Sequence, residues 1–144
     1  MRIRSFACLF LLALLPAAAS AQDSPIGRWK TIDDETGKAK SIVEITQASN
    51  GTLQGKVVEI LQSDHGPNPV CEKCQGANKN KPIKGMTILW GLKKDGQIWN
   101  SGTVLDPEKG KTYKSKLELL DGGQKLGMSG CIVFLCRQQV WQRQ

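Results

Sequence analysis

The chain has 144 residues, 40% of them hydrophobic and 23% charged, with 20 Lys+Arg against 13 Asp+Glu, a single histidine and five cysteines. That length suits one domain with a real core. Aromatics make up only 6% and the lysines are spread along the chain, with no basic stripe interleaved with stacking rings, so nucleic acid is not an expected partner.

Residues 1–21 read as a secretory signal peptide: Arg2 and Arg4, an uncharged run from Phe6 to Leu15, then Ala19-Ser20-Ala21 as a cleavage site. The apolar run is too short to span a bilayer comfortably, and no second run of membrane length follows it. The expectation is a soluble domain, 22–144, exported to the periplasm or beyond, with no transmembrane segment. Cys8 leaves with the leader, and losing Arg2 and Arg4 lowers the net charge from +7 to +5. Cys71, Cys74, Cys131 and Cys136 remain, an even number that reads first as disulfides in an oxidising compartment.

From 26 onward no stretch carries apolar residues at helical spacing. Short alternating or β-branched segments predict strands at about 26–32, 41–47, 52–61, 84–92, 97–105, 111–120, 124–132 and 136–143. The clearest alternation puts Tyr113, Ser115, Leu117 and Leu119 on one face and Lys114, Lys116 and Glu118 on the other. Leu126, Met128, Gly130 and Ile132 repeat it. Asn50-Gly51, Asp95-Gly96 and Asp121-Gly122-Gly123 supply tight hairpin turns. A meander of eight strands loses its exposed edges by closing, which predicts a small antiparallel up-and-down β-barrel; a two-sheet β-sandwich is the alternative.

Two turns are alike, 32–38 and 105–111, each with Asp, Glu, Gly and Lys at equal spacing. Asp33, Asp34, Glu35, Asp106 and Glu108 read as turn chemistry, because they lack the alternating spacing of a calcium loop; no metal and no cofactor is expected. The connection 62–83 is long, rich in Pro and Gly, and carries both CEKC and His65. Loops of that length in a compact domain are functional or tethered.

The runs IGRWKTIDDETGK, CEKC, KPIKGMTILWGL, LDPEKGKTY and the terminal WQR together resemble the bacterial secreted proteins grouped as domain of unknown function 2147, over about 26–143. That family is similar in general pattern to lipocalin-like barrels, whose first strand also begins Gly-x-Trp. The resemblance implies structural roles for Gly27, Trp29, Asp106, Gly110, Trp141 and Arg143, and no established activity. It implies a clasp in which Arg143 covers the indole of Trp29 once the first strand meets the eighth. It also implies that the CEKC pair belongs to the family pattern, whereas Cys131 and Cys136 are an elaboration of this chain.

No G-x-S-x-G elbow accompanies the single histidine, so a catalytic site is not expected. A thiol–disulfide role for Cys71 and Cys74 is the rival reading, although CxxC here lacks the helix N-terminus that lowers a thiol pKa. The inward face inferred from the alternation offers Met86, Ile88, Tyr113, Ser115, Leu117, Leu126 and Met128, the composition of a core or of an apolar pocket. The expectation is a barrel mostly filled by its own side chains, with a shallow pocket at one mouth where Tyr113 and Met128, with Trp90 and Trp99 at the rim, bind a small apolar ligand. A protein partner in the cell envelope is the other expected contact.

For the cysteines, a long-range bridge from the loop to Cys136 removes more chain entropy than a local one, about 4 against about 2 kcal/mol. Proximity during folding and the family pattern favour Cys71–Cys74. For CIVFLC at 131–136 a bridged hairpin is favoured over a straight strand, because a bridge uses both thiols in an oxidising compartment. A turn at Val133-Phe134 would oppose Cys131 and Cys136 directly and expose an apolar tip as a contact patch; a straight strand would send the two side chains to opposite faces.

Overall fold

Eight antiparallel strands follow one another in the computed structural model, which describes residues 23–144; the expected leader lies outside the described residues. They are β1 (Gly27–Ile32), β2 (Ala39–Gln47), β3 (Leu53–Ile60), β4 (Thr87–Asp95), β5 (Ile98–Asp106), β6 (Lys111–Leu120), β7 (Lys125–Ile132) and β8 (Leu135–Arg143). Each pairs with its neighbours in sequence, and β1 pairs with β8, so the sheet closes into a barrel and not into a sandwich. The only helical turns among the described residues are three-residue 3-10 segments, Gly76–Asn78 and Asp121–Gly123. Closure removes both free edges of the meander.

The two ends of the barrel differ. One carries Gly27, Arg143 and the connections 48–52, 96–97 and 121–124. The other carries the turns 33–38, 107–110 and 133–134 and the long loop 61–86. Trp29, Ile45, Leu53, Leu92, Leu117 and Leu126, all essentially without exposure, fill the first end. Trp29 donates its indole N–H to the Pro25 carbonyl at 2.7 Å, so its one polar atom is satisfied in the core. The Arg143 guanidinium carbon lies 4.2 Å from the Trp29 ring centroid, and its nitrogens donate to the carbonyls of Gly123, Ile26 and Ser24. This plug ties both chain ends to the β6–β7 turn.

Alternation fails on β4. Leu89 and Leu92, three residues apart, are both fully buried, and Gly91 between them has φ 71°. Ser101, across on β5, also takes a left-handed φ of 59°. The inward face therefore slips by one residue here, and Trp90 stays on the outer wall, partly exposed. Strict period-two reading of KGMTILWGL cannot see this slip.

The long loop is held by local hydrogen bonds: the Cys71 amide to the Lys81 carbonyl at 2.8 Å, the Asn80 amide to the Cys71 carbonyl at 2.9 Å, and the Ile83 amide to the Pro69 carbonyl at 3.0 Å. Cys71 and Cys74 are bonded to each other and are 0% and 4% exposed. The clip faces the β5–β6 turn, with Cys71 Sγ 3.1 Å from the Pro107 carbonyl oxygen. Gly110 makes that approach possible: its φ is 65°, and a Cβ there would lie 2.1 Å from the Lys73 carbonyl oxygen. Asp106 shapes the same turn, its side chain accepting from the amides of Glu108 and Lys109 at 3.0 and 3.2 Å.

Candidate functional site

A cavity of about 500 Å³ opens at the loop-bearing end and runs down the barrel to Trp141. It is deeper than the shallow mouth expected from the sequence. The filled part of the barrel is the other end, where the tryptophan and leucine side chains meet. On the cavity side three inward positions are small or polar: Thr31, Ser41 and Gly130. A Cβ at Gly130 would meet Tyr113 and Val104 at 3.5 Å, ordinary van der Waals contact, so a side chain can start from this position of the cavity wall.

The lower wall is apolar, formed by Val57, Ile88, Val104, Met128 and the buried indole of Trp141, with Tyr113 above them. Thr31 and Ser41 place a hydroxyl pair, 2.9 Å apart, in the wall between β1 and β2. Of the residues expected to contact a ligand, Tyr113 and Met128 border the cavity. Trp90 and Trp99 do not: Trp90 sits on the outside beside the loop, and Trp99, opposite Leu117, packs against the core towards the plugged end. Periodicity placed Trp90 inward. The pairing shifts between Thr87 and Leu89, opposite Lys56 and Gly55, so adjacent Ile88 and Leu89 are both buried and Trp90 turns out.

Sequence reading missed the polar ladder that climbs from the floor to the rim. The Trp141 indole N–H donates to Gln139 Oε1 at 2.9 Å, and Gln139 Nε2 donates to Asp34 Oδ1 at 3.3 Å. Arg137 donates to Asp34 Oδ2 through Nε and Nη2 at 3.1 and 2.6 Å, and its Nη1 lies 3.1 Å from Glu35. Trp141, Gln139 and Arg137 alternate on one face of β8, so period two brings them into one line. The signal was present in WQR and RQQVW, but its partner, Asp34, is 103 residues from Arg137. A second ion pair, Lys40–Glu108 at 3.0 Å, crosses the mouth between β2 and the β5–β6 turn.

The charges at the rim are held by these contacts. Burial pulls the Asp34 carboxyl up, but hydrogen bonds from Arg137 and Gln139 outweigh it and keep its pKa below the ordinary value. Asp33 is also held low, chiefly by the Thr36 hydroxyl, which donates to it at 2.6 Å. Burial alone would lower Lys40, yet its hydrogen bond to Glu108 leaves it raised. Asp33 thus serves its own turn, whereas Asp34 serves the cavity wall. One buried hydroxyl, Ser115 Oγ, has no hydrogen-bond partner among the described residues; it lies in register with Gly130.

Comparison with known proteins places this geometry in a group. Residues 27–143 match the family described as "Uncharacterized protein conserved in bacteria (DUF2147)", and the chain belongs to that family. No curated protein matches the chain. Among solved structures it is similar to protein HP1028 from the human pathogen Helicobacter pylori, described as belonging to the lipocalin family. The two share 20% identity with a TM-score of 0.73, over 85% of this chain and 84% of the other. At that identity the likeness is one of fold.

Proposed function

We propose that this DUF2147-family barrel is an exported, non-catalytic carrier that holds one small, largely apolar molecule in the cavity above Trp141. The observation that carries the reading is the cavity itself: about 500 Å³, apolar below, with hydroxyls and ion pairs confined to the wall and rim. Its volume lies within the ordinary range for small-molecule sites, and few placed polar groups around an apolar floor is their usual composition. A lipocalin-like barrel of eight strands is wide enough for one such ligand.

Tyr113 and Met128 are the proposed ligand contacts, joined by Val104, Ile88 and Trp141. Two disulfides suggest a location outside the cytoplasm. Cleavage after Ala21 and residence in the periplasm extend that reading from the sequence. The absence of catalysis is argued from residue types: His65 is the only histidine, and it sits on an exposed stretch of the loop.

The rival thiol–disulfide function is disfavoured by the burial of both sulfur-bearing residues. An exchange partner must reach one sulfur in line, and Cys71 and Cys74 are buried within the long loop, packed against the β5–β6 turn. Titration of the purified protein with the uncharged apolar probe phenylnaphthylamine tests the carrier reading. One saturable site is expected in the wild type and none in Gly130→Leu, whose side chain would occupy the cavity. A wild type that fails to bind, or a variant that binds equally well, contradicts it.

A further inference from the structure

The β7–β8 hairpin carries four consecutive apolar residues into solvent: Ile132, Val133, Phe134 and Leu135 are 59%, 79%, 95% and 82% exposed. A folded domain does not leave such a run bare without a use, since scattered single apolar side chains are ordinary but contiguous ones mark contact sites. The finger is also braced. Cys131 and Cys136 face each other at its base, bonded, with Cα atoms 4.1 Å apart, so the tip cannot fold back without straining the ladder.

Its position ties it to the cavity. The tip stands at the same barrel end as the open mouth. By strand parity Ile132 continues the row of Met128 and Gly130, and Leu135 continues the row of Arg137, Gln139 and Trp141. The β7 row alone is free of polar side chains, and it leads from the cavity wall outward to Ile132 at the base of the tip. On the neighbouring strand, Lys114 lies opposite Cys131, and Lys111, Lys114 and Lys116 make no ion pair among the described residues. On the other flank Asp34 and Glu35 share the single Arg137, and Asp33, Asp64 and Glu72 at the mouth make no ion pair among the described residues, so the cationic face is the β6 side of the finger.

We infer that this finger docks the barrel onto an anionic lipid bilayer, mouth towards the membrane. The shape favours lipid over a protein pocket: the apolar surface is a convex, two-residue tip with lysines set just behind it. That is the layering of an interface, apolar beneath the headgroups and cations level with phosphate. The proposal extends the carrier reading by naming where an apolar cargo enters, and it can fail separately from it.

Co-sedimentation of the exported chain with phosphatidylcholine vesicles, with and without phosphatidylglycerol, tests it. The protein is expected on the phosphatidylglycerol vesicles, less so as salt rises. Val133→Asn with Phe134→Ser is expected to weaken partitioning about tenfold or more. Both positions are exposed, and Val133 has φ 54°, which asparagine adopts more readily, so the variant keeps its fold. Lys111→Glu with Lys114→Glu is expected to reduce binding to the anionic vesicles alone. Gly130→Leu is expected to bind vesicles as the wild type does, which separates a docking failure from a cavity failure. No partitioning of the wild type, partitioning unchanged by the tip substitutions, or a tip-dependent dimer in sedimentation equilibrium in place of vesicle binding would each overturn the inference.

Discussion

Arg143 closes the barrel on Trp29: its guanidinium lies 4.2 Å from the ring centroid and its nitrogens reach three backbone carbonyls from Ser24, Ile26 and Gly123. β1 and β8 share only two paired positions, Trp29–Arg143 and Lys30–Gln142, so side-chain contacts must hold this seam. Arg143→Ala is expected to lower stability by about 2–3 kcal/mol, from one cation–π contact and the charge-assisted hydrogen bonds. Arg143→Lys should restore less than half, because a single ammonium nitrogen cannot reach carbonyls that three separate guanidinium nitrogens span. Urea denaturation measures both; a loss below about 0.5 kcal/mol for the alanine variant would place the seam's strength elsewhere.

Acid should weaken the cavity rim. Asp33 and Asp34 have pKa values lowered by folding, so their stabilisation is present above the unfolded carboxylate pKa and is lost as pH falls through the lowered values. Arg137 stays charged throughout, so Asp34 is the titrating partner. The denaturation midpoint is expected to fall on acidification, and Asp34→Asn should flatten that slope while lowering stability at neutral pH. Identical pH slopes in variant and wild type would mean the Arg137 pair contributes nothing to folding.

On the carrier reading the CEKC clip is structural. Replacing Cys71 and Cys74 with serine should leave the barrel folded and cost about 2 kcal/mol, the loop-closure value for so short a ring. Gly110→Ala attacks the same contact from the other side, through a Cβ 2.1 Å from the Lys73 carbonyl oxygen at positive φ. Faster protease cleavage within 72–79 is expected in both variants. A double serine variant that fails to fold, or a mixed disulfide trapped at Cys74 in the single Cys71→Ser variant, would restore the thiol–disulfide reading.

The barrel was legible because its strands alternate and its turns announce themselves; β6 runs Lys111–Leu120, the span read from YKSKLELL and its flanks. The family motifs marked Trp29, Arg143, Asp106 and Gly110, each of which has a visible contact. The cavity wall was legible only in part. Tyr113 and Met128 lie on regular strands and fall where period two puts them, whereas Trp90 follows the irregular pairing between Thr87 and Leu89 and falls outside. The Asp34–Arg137 contact joins a turn to the last strand, and no local pattern encodes a pairing across 103 residues. CIVFLC allowed two geometries; the hairpin is the one found, with Cys131 opposite Cys136.

Ser115 offers a sharp test of the interior. Its hydroxyl is buried without a partner among the described residues, so Ser115→Ala removes an orphan polar group and is expected to raise stability by about 1 kcal/mol. A loss of similar size in thermal or urea denaturation would mean that the hydroxyl holds a partner in the folded protein.

The central claim is that the cavity above Trp141 carries a molecule. Native mass spectrometry of the protein purified from the envelope of its source organism tests this most directly. The account predicts one small molecule retained per chain, released by organic solvent, and missing from Gly130→Leu purified in the same way. A wild-type mass equal to the bare polypeptide in repeated preparations, with no binding of apolar probes added back, would contradict it.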